Sequence, residues 1–359
     1  MSKAIKLTAA GATHVGRKRE NNEDAWLITD LLRQRGEVTQ GTPVEFPIDQ
    51  GGVLLAVSDG MGGAKAGEVA SALVVESLRR GLNDGDTKDT DKPVDVAIKA
   101  AVDRANREVW QAGHESEKRG MGATLTAVYL EGAVAHIAEV GDSRAYILRG
   151  ERIRQITRDQ SFAQMLLDAG VLSPDEVANY PMKNVVLQAM GQKESVAVEI
   201  GRLQLRRGDR LLLCSDGLSN KVAADEMKDI LSSGASLVEC CDKLIALANE
   251  RGGEDNITVV VAMLEGDGLE RFIPTESVTQ TLEVVQGFDT QKAPSSTKKD
   301  KAKEPEFGEP STDLVRPPAK PEEKKPANAI LIVSLILALA LAAVVTWMIL
   351  HHPTPPPVT

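Results

Sequence analysis

Short apolar runs separated by polar punctuation fill the first three-quarters of the chain, and the runs are of two kinds. Residues 53–57, 124–130, 133–140, 145–148, 210–214 and 257–264 are β-branched or leucine-rich stretches of strand length. Glu131-Gly132 and Arg149-Gly150 separate neighbouring runs as hairpin turns would. Two other stretches follow the helical period. In residues 67–82, Val69, Ala70, Leu73, Val74 and Leu78 share one face, and Val94, Ile98, Ala101, Val102, Ala105 and Val109 do so in the next. Strands that read as runs rather than strict alternation are covered on both faces, which predicts sheet packed on sheet with helices outside.

No linker interrupts residues 1–264, so they are expected to form one domain. Prolines, Lys/Glu mixtures and Ser-Ser-Thr then replace the apolar pattern, and 265–328 reads as a disordered tether whose root-mean-square reach is about 45 Å. Residues 329–350 carry no charge over 22 positions, a helix of about 33 Å that matches the bilayer core. This is the pattern of a membrane span, with Trp347 as an interfacial anchor. Lys320, Lys324 and Lys325 precede it, so the positive-inside rule places the N-terminal domain in the cytoplasm and residues 351–359 on the far side. The first ten residues lack the apolar run of a secretory signal.

Charge and composition narrow the function. A net charge of -10 repels polyanions, and aromatics at 3% leave few stacking platforms for bases, so nucleic-acid binding is not expected. Three cysteines without pattern exclude a disulfide framework and a cysteine zinc site. Cys214 sits inside an apolar run and reads as a buried hydrophobe, and no role falls to His14, His114 or His136.

The chemistry lies where apolar runs end in aspartate: Ser58-Asp59-Gly60, Gly141-Asp142-Ser143, Ser215-Asp216-Gly217 and Glu254-Asp255-Asn256. Taken singly, each is ordinary turn chemistry. Four together, partly desolvated, need something cationic, and an all-oxygen set suits Mg²⁺ or Mn²⁺ rather than zinc. Two such ions sharing a carboxylate could activate a water and clamp a phosphate. Arg17, Lys18 and Arg19 stand just ahead of Glu23 and Asp24, offering a guanidinium fork beside further ligands. The glycines of Asp59-Gly60-Met61-Gly62-Gly63 allow close backbone approach, but the lysine of a P-loop is absent.

Seven motifs in order then carry a resemblance: Arg19 to Asp24, Ser58-Asp59-Gly60-Met61-Gly62-Gly63, Gly120-Met121-Gly122-Ala123-Thr124, Val140-Gly141-Asp142-Ser143-Arg144, Thr157-Arg158-Asp159, Cys214-Ser215-Asp216-Gly217-Leu218 and Glu254-Asp255-Asn256-Ile257-Thr258. Over roughly residues 5–264 the chain resembles the bacterial metal-dependent protein phosphatases, the type 2C Ser/Thr phosphatases. That resemblance implies an α+β fold, a four-layer αββα sandwich of two antiparallel sheets with the metals in a cleft at one edge. It implies that Asp59 bridges two Mn²⁺ or Mg²⁺ ions, Gly60 gives a carbonyl, Asp216 and Asp255 complete the first ion, and Glu23 and Asp24 hold the second or its waters. Asp142 with Asp216 would bind a third, weaker ion, and Arg19 would take the phosphate oxygens. Met61 stands where animal relatives have a histidine, Gln160 where many members have one, and Ala123 replaces a threonine; the general acid is left open. Residues 161–192 correspond to a mobile lid beside the cleft, with helix starts at Phe162 and Pro174.

The implied function is hydrolysis of phosphoserine and phosphothreonine on cytoplasmic proteins near the membrane, by water activated at two metals, with a Ser/Thr protein kinase as natural opponent. The head is expected to be monomeric. The alternative is a catalytically silent, membrane-tethered phosphoprotein-binding module, whose expected mark is loss of one or more of these carboxylates.

Overall fold

The computed structural model describes residues 4–31, 38–48, 52–62, 66–83, 93–114, 120–178 and 180–287. In chain order the elements are β1 (Lys6–His14), β2 (Asp24–Asp30), β3 (Val44–Pro47), β4 (Val53–Met61), α1 (Ala66–Asn83) and α2 (Val94–His114). Next come β5 (Gly122–Ala123), β6 (Leu125–Glu131), β7 (Val134–Val140), β8 (Arg144–Arg149), β9 (Arg152–Gln155), α3 (Phe162–Asp168) and α4 (Pro174–Ala178). The remainder is β10 (Glu199–Gln204), β11 (Arg210–Cys214), α5 (Asp216–Ser219), α6 (Ala224–Ser232), α7 (Leu237–Glu250), β12 (Ile257–Glu265), α8 (Val278–Thr281) and β13 (Leu282–Gln286).

One sheet runs β3-β1-β12-β11-β8-β9 and the other β13-β10-β7-β6-β4-β2, with β5 attached to β4, and the strand pairs are antiparallel. Side-chain alternation sorts each strand between two cores. Leu211, Leu213, Val260 and Ala262 from one sheet meet Leu55, Val57, Val128 and Ile137 from the other in the inner core. Leu54, Ala56 and Ala127 turn outward onto α1 and α2, whose Val74, Leu78, Ile98 and Val102 cover them. Leu212, Cys214 and Val261 turn the opposite way onto α6 and α7, against Met227, Leu231 and Leu244. Because both faces of each sheet are buried, the strands read as continuous apolar runs, and the four expected layers follow.

The two expected hairpins have two-residue loops, since Glu131 pairs Val134 and Arg149 pairs Arg152, with Gly132 and Gly150 at positive φ. β1 lies outside the apolar runs because alanines fill it. Its partner face is crowded: a Cβ on Gly11 would sit 2.5 Å from the Trp26 ring.

The expected domain end at 264 is corrected. Leu269 joins the inner core at 4% exposure and Val278 at 7%, while β13 pairs with β10 as the edge of its sheet. Buried Arg149 explains the attachment: its Nε and Nη2 hold Asp209 at 2.9 and 2.7 Å, and its Nη1 donates to Thr281 Oγ1 at 2.8 Å. Arg206 likewise forks onto Glu276 at 2.9 and 2.6 Å. The folded unit therefore extends to Gln286; the rest of the expected tether and the apolar segment 329–350 lie outside the described residues. Among the described residues no helix is long and apolar enough to cross a membrane.

A chain ending at 264 loses two buried apolar side chains and an acceptor of the buried Arg149, so it should melt at least about 10 °C below one ending at 287. Thermal unfolding of the two chains by circular dichroism checks this, and equal melting temperatures would show that 265–287 is not part of the domain.

Candidate active site

The sandwich gathers the motif aspartates at one end of its strands. β2 and β4 are paired so that Asp24 stands opposite Asp59. Asp142 follows β7, Asp216 opens α5 directly after β11, and Asp255 precedes β12. Glu23, Asp59, Gly60, Asp142, Asp216 and Asp255 line one cleft of about 640 Å³ with Arg19 and Lys18 at its rim. Asp24 lies behind the wall, where its Oδ2 accepts from Ser215 Oγ at 2.7 Å.

Gly60 is where the backbone must pass closest: a Cβ would fall 2.1 Å from Gly67 O and 2.5 Å from Glu23 O. Its own N–H donates to Glu23 O at 3.1 Å, and Ser71 Oγ donates to the same carbonyl at 2.6 Å, fixing Glu23 beside Asp59.

A polar frame that the sequence analysis gave no role holds the carboxylates. The Asp59 N–H donates to Thr124 Oγ1 at 2.9 Å, and Thr124 Oγ1 pairs with Ser143 Oγ at 2.7 Å, joining the Asp59 and Asp142 turns. The Thr258 N–H donates to Ser215 Oγ at 3.0 Å, joining the Asp24, Asp216 and Asp255 strand ends. Buried Asn256 accepts from the Glu23 N–H at 2.7 Å and donates to the Val15 and Asn21 carbonyls at 2.9 Å each, so it ties down the loop that presents Arg19. The available signal was adjacency: Ser143, Ser215 and Asn256 each neighbour a motif aspartate.

Gathering these acids has an electrostatic cost. Burial, then the charges of Asp24, Asp216, Asp142 and Asp255, holds the Asp59 carboxyl well above the usual range. Burial lifts Asp24 to about 7 and, with help from Asp255, Asp216 to about 6; burial and Asp216 raise Asp142 well above its ordinary value. Opposing cations in place are Arg144, which lowers the pKa of both Asp142 and Asp216 from its seat on Asp159, and Arg19, whose Nη2 lies 2.8 Å from Asp255 Oδ2. Oδ1 of Asp24 and Oδ1 of Asp216 are buried with no hydrogen-bond partner. Orphaned carboxylate oxygens beside an all-oxygen donor set fit a hard divalent cation. Among the described residues no group of three or more His, Cys, Asp or Glu side chains is placed to hold an ion by itself; Mg²⁺ is commonly held by one or two carboxylates with water in the rest of its shell.

Cys214 is fully buried and its thiol is pushed up to about 12, chiefly by burial, which leaves it inert. Helices α3 and α4 form where the lid pattern predicted, and Asn184 and Val186 from that segment reach the cleft wall.

The protein phosphatase 2C family matches residues 33–256, a span that starts after Arg19, Glu23 and Asp24. Protein phosphatase PhpP of Streptococcus pneumoniae is 36% identical over 257 residues, covering 71% of this chain and 97% of that protein. The crystal structure of the Mycobacterium tuberculosis serine/threonine phosphatase PstP/Ppp matches with a TM-score of 0.61 at 35% identity, over 72% of this chain and 99% of that one. A structure of the PstP catalytic domain in complex with 2 manganese ions matches with a TM-score of 0.58 at 34% identity, over 73% and 99%.

The raised carboxyls give a signed pH prediction. Their folded pKa values lie above the unfolded ones, so the metal-free folded state holds extra protons from about pH 4 up to about 7, and stability is lost as pH rises through that window. In EDTA, Asp59→Asn should therefore gain stability relative to the parent as pH goes from 5 to 7.5, and should gain less than the parent on adding Mn²⁺. Melting curves at the two pH values decide it; a variant whose relative stability falls with pH would show that the cluster is not strained.

Proposed function

The chain belongs to the protein phosphatase 2C family and is a metal-dependent protein Ser/Thr phosphatase, and on that premise we propose how its own residues divide the work. The observation that carries the reading is the convergence of six carboxylates, five of them from the motif acids, and one guanidinium on a single cleft, with buried oxygens of Asp24 and Asp216 left over. Asp59 and the Gly60 carbonyl, with Asp216 and Asp255, would hold the first ion; Glu23, Asp24 and Asp59 the second or its waters; Asp142 with Asp216 a third. Two bound Mn²⁺ or Mg²⁺ ions supply Lewis acidity toward water and neutralise phosphate charge.

The remaining chemistry belongs to side chains. Arg19 binds phosphate oxygens through its planar fork, and an entering phosphate competes with Asp255 for the same guanidinium. No serine or cysteine is among the described lining residues, and Thr124 Oγ1 is committed to Asp59 and Ser143, so no hydroxyl or thiol among them is free to act as a covalent nucleophile. No histidine is among them either, and Met61 has no proton to give, so an imidazole does not protonate the leaving serine or threonine alkoxide here. The cleft is shallow and polar enough to admit a phosphorylated side chain while the rest of a protein substrate stays outside.

The wider setting is part of the same proposal. The uncharged segment 329–350 and the lysines before it support a single-pass anchor with the catalytic domain in the cytoplasm, its substrates being phosphoproteins near the membrane, including those of a Ser/Thr protein kinase.

Turnover of p-nitrophenyl phosphate should require Mn²⁺ or Mg²⁺ and stop in excess EDTA. Asp59→Asn should lower kcat by about 100-fold or more and Asp142→Ala by less, since only Asp59 would serve both principal ions. Arg19→Lys should raise KM for a phosphopeptide about tenfold, a point charge being no substitute for the fork. Activity in EDTA, or the reverse ranking of the two aspartates, would overturn the ligand assignment.

The anchor is checked by fractionation with protease protection of spheroplasts. The full chain should sediment with membranes with its head protected, and deletion of 329–359 should give a soluble enzyme of unchanged kcat. A head digested from outside would invert the topology.

A further inference from the structure

Gln160 lies between β9 and α3, 1% exposed, and every polar atom it has is used. Its Oε1 accepts from the Gly141 N–H at 2.9 Å and from Gln188 Nε2 at 2.7 Å, and its Nε2 donates to the Glu139 carbonyl at 3.1 Å. Its backbone N–H donates to Gly141 O at 2.7 Å, and its carbonyl accepts from the Leu187 N–H at 2.8 Å. Three of these five bonds grip the turn that carries Asp142, and two grip residues 187–188. Gly141 itself has φ +113 and a Cβ there would meet Thr124 at 2.7 Å, so the turn admits only glycine, and Gln160 bonds both its N–H and its carbonyl. On the other side, the Phe162 N–H donates to Val185 O at 2.8 Å, which closes the base of the segment whose Asn184 and Val186 form cleft wall.

We propose that Gln160 is a positioning residue for the phosphatase reaction: it holds the Asp142 turn and the 184–188 wall in one fixed relation, so that the wall against which a phosphopeptide lies is set from the carboxylate cluster. The proposal rests on the cleft being the phosphatase site. Gln160 touches neither substrate nor ion; it acts through Gly141 and Leu187. A glutamine suits the place because one side chain must accept twice on the same oxygen and donate once, without bringing charge near Asp142 and Asp159.

The test uses the full chain. Gln160→Met keeps the length of the side chain and removes its three hydrogen bonds, and Gln160→His restores one acceptor and one donor. In the methionine variant, amide exchange at Gly141 and at 186–188 should accelerate about tenfold while amides of β11 and β12 keep their protection. KM for a phosphopeptide should rise about fivefold, with a smaller change in kcat on p-nitrophenyl phosphate, and the histidine variant should recover most of both effects. Unchanged local exchange with unchanged KM would overturn the proposal. So would a uniform loss of protection across the domain with equal effects on both substrates, which is the signature of a merely stabilising residue. Should the parent chain fail to turn over phosphate esters with Mn²⁺, the phosphatase reading falls instead, and the metal-free exchange experiment still decides whether Gln160 holds the two segments together.

Discussion

Mutual repulsion among carboxylates at the end of the sheet sandwich is the constraint around which the rest of the structure is arranged. The pKa values of Asp24, Asp59, Asp142 and Asp216 are each raised by burial and by neighbouring carboxylates, and a chain free to relax would separate them. They are kept together by strands that are themselves immovable. Val57, Leu213 and Val260 are wholly buried between the sheets, so the strand ends beyond them have little latitude. The aspartates are thus preorganised for cations at the expense of metal-free stability, a function-for-stability exchange that buried ionisable clusters commonly show.

Rigid strands alone would not fix side-chain direction, and a small set of uncharged groups does that. Thr124, Ser215 and Asn256 bond to backbone or carboxylate across long sequence separations, as in the Asn256 bonds to Glu23, Val15 and Asn21, and Ser143 bonds the Thr124 hydroxyl. Hydroxyl and amide groups orient an acid without adding charge to a place that already has too much. Arg19 is the counterexample that shows the logic: as a nearby guanidinium, it collapses onto Asp255.

The same economy operates at longer range. The segment 266–287 is short of apolar residues, yet it is held by Arg149 and Arg206, two cations that would otherwise face Asp209 and solvent alone. Gln160 binds the Asp142 turn to the cleft wall with neutral groups only. Beside the carboxylates the protein mixes neutral donors and acceptors with two ion pairs, Arg19 on Asp255 and Arg144 on Asp159.

Much of this was legible in the sequence. The apolar runs at 53–57 and 210–214, and the helical faces of 67–82 and of the stretch from Val94, determined that sheets would pack on sheets under helices, because burial on two faces leaves a pattern in the chain itself. The aspartates at run ends marked where the acids would gather, and their motifs named the residues that the sheets bring to one end. Strand β1, built of alanines, left no such pattern, and neither did β13 or the true end of the domain, whose attachment depends on Arg149 meeting Thr281 over 132 positions. Nor could the sequence tell that Asp24 would stand behind the cleft, that Arg19 would settle on Asp255, or that Gln160 would grip two segments at once. Periodicity is a local property written by burial. Which polar group meets which is settled only when the sheets close and distant turns come within hydrogen-bond reach.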